Sequence, residues 1–494
     1  MAFSLSIKDI EKIFDAVQRA EIFADQKTMT DAIPRIEIRM INALYEENHS
    51  KSDFDLKAFV EEYFDFPHSL EYRNGNPTDT IDQHIEKLWD HLTKEANQNQ
   101  GTLLQLPKRY IVPGGRFNEF FYWDSYFVML GLKESNRIDL MENIVENCAY
   151  LISTVGFVPN ASRTHFLTRS QPPYFSLMVE LLAEAKKDNH ILGQYQEALE
   201  KEYQFWMKGE DEVKEGEAIE RVVKLAKGEI LNRYYDQENT PRPESYKMDI
   251  KDQASSSNSE FYRNIRAACE SGWDFSSRWF ADLKHIQTIE TTAILPVDLN
   301  ALLWNLENLL GQIALQKQDS TKNKFYTERA NARKHAIQNY FWNETQGYYT
   351  DYNFIKQDAT LSQHMGMLYP LFFQLANKEQ VKKVENFLLE NFLYPGGLVT
   401  TTKNSGQQWD FPNAWAPFQW LGYEAMKRNG CEETAQKIAF AWTLNVEKIF
   451  NQTRRLMEKY NAVDMDLIAG GGEYPNQDGF GWTNGVYTYL KNNN

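Results

Sequence analysis

The chain has 494 residues, 42% of them hydrophobic and 25% charged, enough apolar mass for a large core and too much for a disordered or collagen-like chain. Its 69 acidic and 53 basic residues leave a formal charge of -16, which repels phosphate backbones and anionic headgroups and argues against nucleic acid or a membrane as partner. Aromatic residues make up 14% of the sequence; many lie in Gly- and Pro-bearing stretches rather than on helix stripes, as suits a pocket for a ligand with CH faces and hydroxyls.

From the start of the chain, Lys8 and Asp9 stand where a secretory leader needs an unbroken apolar run, and no later apolar run approaches about 18 residues. A cytoplasmic protein is expected, a periplasmic one if the N-terminus has been trimmed. Segment 7–24 places Ile7, Ile10, Phe14 and Val17 on one helical face, with Ser6 and Asp9 as a capping box. The spacing of His84 and His91 suits a helix face better than a metal site. The first polar and aromatic cluster is Pro113-Gly114-Gly115-Arg116-Phe117-Asn118-Glu119-Phe120-Phe121-Tyr122-Trp123-Asp124-Ser125-Tyr126. Its glycines permit a tight backbone, Arg116 supplies a donor fork, and Trp123 sets an aromatic face beside the Asp124 acceptor. An Arg116–Glu119 pair with the aromatics in a core fits the same residues.

Amphipathic helices are predicted at 138–153 and 174–187. Between them lie Asn160 and Arg169-Ser170-Gln171-Pro172-Pro173, and further on comes Arg242-Pro243-Glu244-Ser245-Tyr246. Prolines stiffen both loops, so Arg169, Gln171, Arg242 and Glu244 either bracket hydroxyls or form surface ion pairs. Segment 209–221 carries both charge signs and reads as a solvated face. In Glu270-Ser271-Gly272-Trp273-Asp274-Phe275, Asp274 is either a helix cap or a carboxyl desolvated between two aromatic rings, which would raise its pKa as a general acid requires. Helices are then predicted at 297–316, 322–341, 363–376, 378–391, 414–428 and 433–449. Gln408-Trp409-Asp410-Phe411-Pro412-Asn413-Ala414-Trp415-Ala416-Pro417 either packs its tryptophans in the core or, being polar at Gln408, Asp410 and Asn413 as well, makes a pocket wall, and Glu458-Lys459-Tyr460-Asn461 and Gly470-Gly471-Gly472-Glu473 bring carboxylates to mobile or closely approaching loops.

Strand-like alternation is sparse and no linker divides the chain, so one all-α domain is expected: a closed toroid of helical hairpins over 1–494, with 1–100 as an N-terminal helical arm and the first part of its surround. Cys148, Cys269 and Cys431 lie far apart in sequence and are expected to be buried thiols. The sequence has no HExxH, no Cys/His cluster, no GxSxG and no GxGxxG, which leaves carboxylate chemistry.

PGGRFNEFFYWDSY (113–126) and QWDFPNAWAP (408–417) resemble the two signatures of the trehalases of glycoside hydrolase family 37, and ESGWDFSSRW (270–279) and GGGEYPNQDGFGWTNG (470–485) resemble two further family stretches. The resemblance runs from about residue 30 to the C-terminus, with the blocks in the family's order. It implies an (α/α)6 barrel with its active site on loops at one end, acting as a monomer. The implied reaction is hydrolysis of α,α-trehalose to two glucoses with inversion at one anomeric carbon, without a metal or organic cofactor. It assigns Asp274 the general-acid position and Glu458 the general-base position. It assigns sugar contacts to Arg116, Trp123, Asp124, Asn160, Arg169, Ser170, Gln171, Arg242, Pro243, Glu244, Gly272 and Glu473. Three positions depart from the pattern: Phe121 replaces the usual Tyr, Ala414 replaces the common Gly, and Ala469 shortens the glycine run. An alanine at either of the last two sites is expected to cost loop flexibility if positive φ is required there.

Overall fold

The computed structural model describes residues 5–67, 76 and 78–494. Residues 1–4, part of the segment read for a leader, lie outside the described residues. Twelve helices build the scaffold among the described residues: α1 (Ile81–Leu92), α2 (Tyr122–Glu134), α3 (Ile138–Val155), α4 (Phe175–Lys186), α5 (Gln196–Trp206), α6 (Val297–Gln316), α7 (Ser320–Tyr340), α8 (Tyr369–Phe372), α9 (Lys378–Asn391), α10 (Ala416–Arg428), α11 (Glu432–Thr453) and α12 (Gly481–Asn493). The even-numbered helices touch in the order α2, α4, α6, α8, α10, α12 and back to α2, closing an inner ring, while the odd-numbered ones pack outside it. This is an (α/α)6 barrel.

The two rings have different sequence patterns because they meet different surroundings. Outer helix α3 buries Leu140, Ile144, Cys148 and Leu151 at three- and four-residue steps and leaves its other face wetter. Inner helix α2 is buried at every position from Tyr122 to Leu132, and α10 from Ala416 to Met426. A helix surrounded on all sides has no polar stripe, so periodicity fades. The inner helices α4, α6 and α10 nevertheless lie close to the expected 174–187, 297–316 and 414–428, whereas α2 and α12 begin inside the Gly-bearing segments 113–126 and 470–485 and carry no sequence-level helix assignment. The expected helix at 363–376 is a 3-10 turn, Met365–Leu368, leading into the four-residue α8.

The N-terminal arm holds a second apolar cluster in which Ile10, Phe14, Val17, Ile41, Val60 and Phe64 pack together and meet Tyr246 of the barrel side. The capping box of Ser6 and Asp9 is present. A short antiparallel pair, β1 (Asn413–Trp415) and β2 (Lys459–Asn461), sets Trp415 opposite Lys459 and Ala414 opposite Tyr460. It lays the 408–417 segment beside Glu458.

Three expectations need correction. Segment 209–221 is not wholly solvated, because Arg221 is buried and its Nε and Nη2 donate to Glu270 at 2.5–3.1 Å. Cys148 and Cys269 are buried, but Cys431 is only partly so. Ala414 sits in strand β1, and neither it nor Ala469 adopts positive φ, so the alanines impose no left-handed strain.

Candidate active site

At the N-terminal ends of α2, α10 and α12 a cavity is lined by Phe117, Phe121, Trp123, Asp124, Asn160, Gln171, Gly272, Asp274, Trp409, Trp415, Glu458, Tyr474 and Trp482. Its wall is aromatic. Trp409 stacks on Trp415 with ring centroids 3.9 Å apart and planes 2° apart, and Trp482 meets Trp415 edge-on at 5.5 Å. Flat apolar faces of this kind pack against the CH faces of a pyranose ring.

Three carboxyls face the cavity. Burial pushes Asp274 up to about 7, against the opposing pull of Arg242 and with help from Glu473. Asp274 does not cap a helix: Ser276 caps the turn Ser277–Trp279. Behind it, the Arg278 guanidinium lies 4.5 Å from the Trp273 ring centroid and is held by Asp298 and Asp351, with N–O distances of 2.7–3.0 Å. Asp124, in the first turn of α2, is carried well above its ordinary value by burial, with the neighbouring charges of Glu458 and Asp274 adding to the effect. Glu458 follows a different pattern of contacts: Oε1 accepts from the Tyr474 hydroxyl at 2.9 Å and Oε2 from Lys459 Nζ at 3.3 Å.

The arginines stand around the cavity in ion pairs. Arg169 donates from Nη2 to Glu244 Oε1 at 2.7 Å, and from Nη1 to Asp236 at 3.4 Å. Burial pushes the Glu244 carboxyl up, but Arg169 and Arg242 more than offset it and leave it at about 2. Arg242 grips Asp249 and donates from Nη2 to Glu473 Oε1 at 2.6 Å; Glu473 also accepts from Ser245 Oγ at 2.8 Å. Arg116 pairs with Asp25 of the arm, not with Glu119, which instead joins Lys27 and Arg163. These buried, paired guanidiniums and carboxylates are rigid donors and acceptors, the chemistry that reads out hydroxyl groups.

The family model for trehalase matches residues 17–493. The chain belongs to the trehalase family. It is 43% identical over 479 residues to proteins named periplasmic trehalase from Salmonella paratyphi B and Escherichia coli O6:H1, covering 96% of this chain and 84% and 85% of theirs. Those names lend no support to a cytoplasmic location and agree with the periplasmic alternative. Among solved structures, neutral trehalase Nth1 from Saccharomyces cerevisiae matches with a TM-score of 0.66 at 26% identity, over 78% of this chain and 74% of that one. The GH63 mannosylglycerate hydrolase from Thermus thermophilus shares the fold, with a TM-score of 0.56 at 14% identity over 83% of this chain and all of its own.

In this trehalase-family chain, seven of the residues singled out from sequence line the cavity: Trp123, Asp124, Asn160, Gln171, Gly272, Asp274 and Glu458. Arg116, Arg169, Arg242, Glu244 and Glu473 surround it through the pairs just described. Ser170 turns its hydroxyl inward to Val158 O at 2.7 Å, and Pro243 opens the turn Pro243–Ser245. Asp25, Lys459 and Tyr474 join the site without a role expected from the sequence, and Gln408 was expected only as part of the pocket wall. Asp25 gave no signal, being far from any motif; Lys459 and Tyr474 lay next to the carboxylates that drew attention.

Proposed function

We propose that the protein hydrolyses α,α-trehalose to two glucoses by an inverting mechanism, with Asp274 as general acid and Glu458 as general base. Asp274 gives its proton to the glycosidic oxygen. Glu458 takes a proton from a water that attacks the anomeric carbon from the opposite face, so the C–O bond breaks as the new one forms. Arg116, Trp123, Asp124, Asn160, Arg169, Ser170, Gln171, Arg242, Pro243, Glu244, Gly272 and Glu473 form or support the two glucose subsites.

The observation that carries this reading is the chemical contrast of two carboxyls in one cavity. Asp274 holds its proton to about 7, while Glu458 accepts from an ammonium and a phenol. One group is suited to give a proton and the other to take one. A coupled glucose assay with trehalose, maltose and trehalose-6-phosphate tests it. Release from trehalose alone supports the reading; absence of release from trehalose by the folded protein overturns it.

A further inference from the structure

Two buried polar residues beside the cavity have no part in the proton transfers. Gln408 opens the aromatic loop that leads to β1, and Lys459 lies in β2 opposite Trp415. Their exposures are 2% and 1%. An ammonium so far from water is retained only if its charge is matched and its protons are bonded. Lys459 Nζ lies 5.2 Å from the Trp415 ring centroid and 5.4 Å from that of Tyr474, both within cation–π range.

The bonds made by the pair run in series. Gln408 Nε2 donates to the backbone carbonyl of Asp274 at 2.6 Å. Gln408 Oε1 accepts from Lys459 Nζ at 3.1 Å, and the same Nζ donates to Glu458 Oε2 at 3.3 Å. Three hydrogen bonds therefore join the main chain of one carboxyl-bearing loop to the carboxylate of the other. Gly472, at φ +86°, closes over this bridge so tightly that a Cβ there would lie 2.6 Å from Gln408 Oε1. The glycine run thus has a local reason: it lets the loop carrying Glu473 and Tyr474 pack on Gln408.

We infer that Gln408 and Lys459 are positioning residues that fix the Asp274 loop and the Glu458 carboxylate at their working separation. The inference rests on the roles proposed above for Asp274 and Glu458. Inverting hydrolysis requires that separation to admit one water, and a misplacement of about 1 Å costs on the order of a hundredfold in rate. Besides Lys459, the groups facing Glu458 are the Tyr474 hydroxyl and the carboxyls of Asp124 and Asp274, with Arg116 beyond the Tyr474 ring at 4.7 Å. Lys459 is the cation in direct contact.

Lys459→Met, Lys459→Gln and Gln408→Leu in the full chain test this, with fold checked by circular dichroism, kcat and KM measured on trehalose, and crystal structures solved. Lys459→Met is expected to lower kcat about a hundredfold with KM nearly unchanged. Lys459→Gln, which keeps a donor to Gln408 and Glu458, retains more of kcat. Gln408→Leu lowers kcat with KM nearly unchanged, and displaces the Asp274 loop or the Glu458 carboxylate by more than about 0.5 Å. Folded variants whose kcat and active-site coordinates match the wild type overturn the inference. An inactive wild type would sink the proposed function instead, and the crystal structures would still decide whether the bridge sets the separation.

Discussion

Asp25 of the N-terminal arm holds Arg116 in a two-point ion pair, Nε to Oδ2 at 2.8 Å and Nη2 to Oδ1 at 2.5 Å. The same guanidinium lies 4.7 Å from the ring centroid of Tyr474, whose hydroxyl reaches Glu458. A residue outside the barrel therefore orients a side chain beside the cavity. Asp25→Ala is expected to raise KM for trehalose by about ten- to thirtyfold, about 1.4–2 kcal/mol of lost binding, with a smaller change in kcat. Because Asp25 is partly exposed, Tm should hardly move. Steady-state kinetics and a thermal melt check both.

The pH dependence follows from Asp274. Its carboxyl keeps the proton up to about 7 because burial disfavours the charged form. Above that value the acid is lost, so kcat/KM should fall tenfold per pH unit on the alkaline side of a limb near 7. A profile flat from pH 6 to 9 would remove Asp274 from the role of acid.

Gly272 adopts φ +77°, and a Cβ built on it would lie 2.8 Å from Trp123 Cε2 and Cζ2. Only glycine lets the loop before Asp274 approach that indole without strain. Gly272→Ala should displace Trp123 or Asp274, lower kcat/KM by at least about a hundredfold, and destabilise the fold by about 1–3 kcal/mol. Kinetics with calorimetry separates the two effects.

Behind α2, Glu202 accepts from the Tyr122 hydroxyl, and burial pushes its carboxyl up to about 8. In the unfolded chain the same group ionises near ~4.3. Between those values the folded state binds more protons, so Glu202 makes stability fall as pH rises, the loss being complete above about 8. Glu202→Gln carries no such proton. Its melting temperature should decline less than the wild type's between pH 5 and pH 8.5, by a few degrees. Parallel curves for the two proteins would contradict this.

Most helices and the chemistry-bearing loops are legible in the sequence for different reasons. Outer helix α3 and inner helix α6 advertise themselves by apolar spacing, and Trp273-Asp274-Phe275 by an acid flanked with aromatic rings. The inner helices α2 and α12 are masked because each starts directly from a Gly-bearing, site-forming segment, and their first turns carry the site's Trp123, Asp124 and Trp482. Long-range partners were invisible in principle. The Asp25–Arg116 pair spans 91 positions and the Arg242–Glu473 pair 231, and nothing local to either member specifies the other. The same holds for Gln408 and Lys459, brought together by the register of β1 and β2.

Inversion by Asp274 and Glu458 is read out by proton NMR of trehalose hydrolysis followed before the product glucose mutarotates. Inversion at one anomeric carbon releases equal amounts of α- and β-glucose, and Asp274→Asn and Glu458→Gln should release neither at a measurable rate while remaining folded. Exclusive release of α-glucose would show retention, and turnover near the wild-type rate in either variant would remove that carboxyl from the reaction.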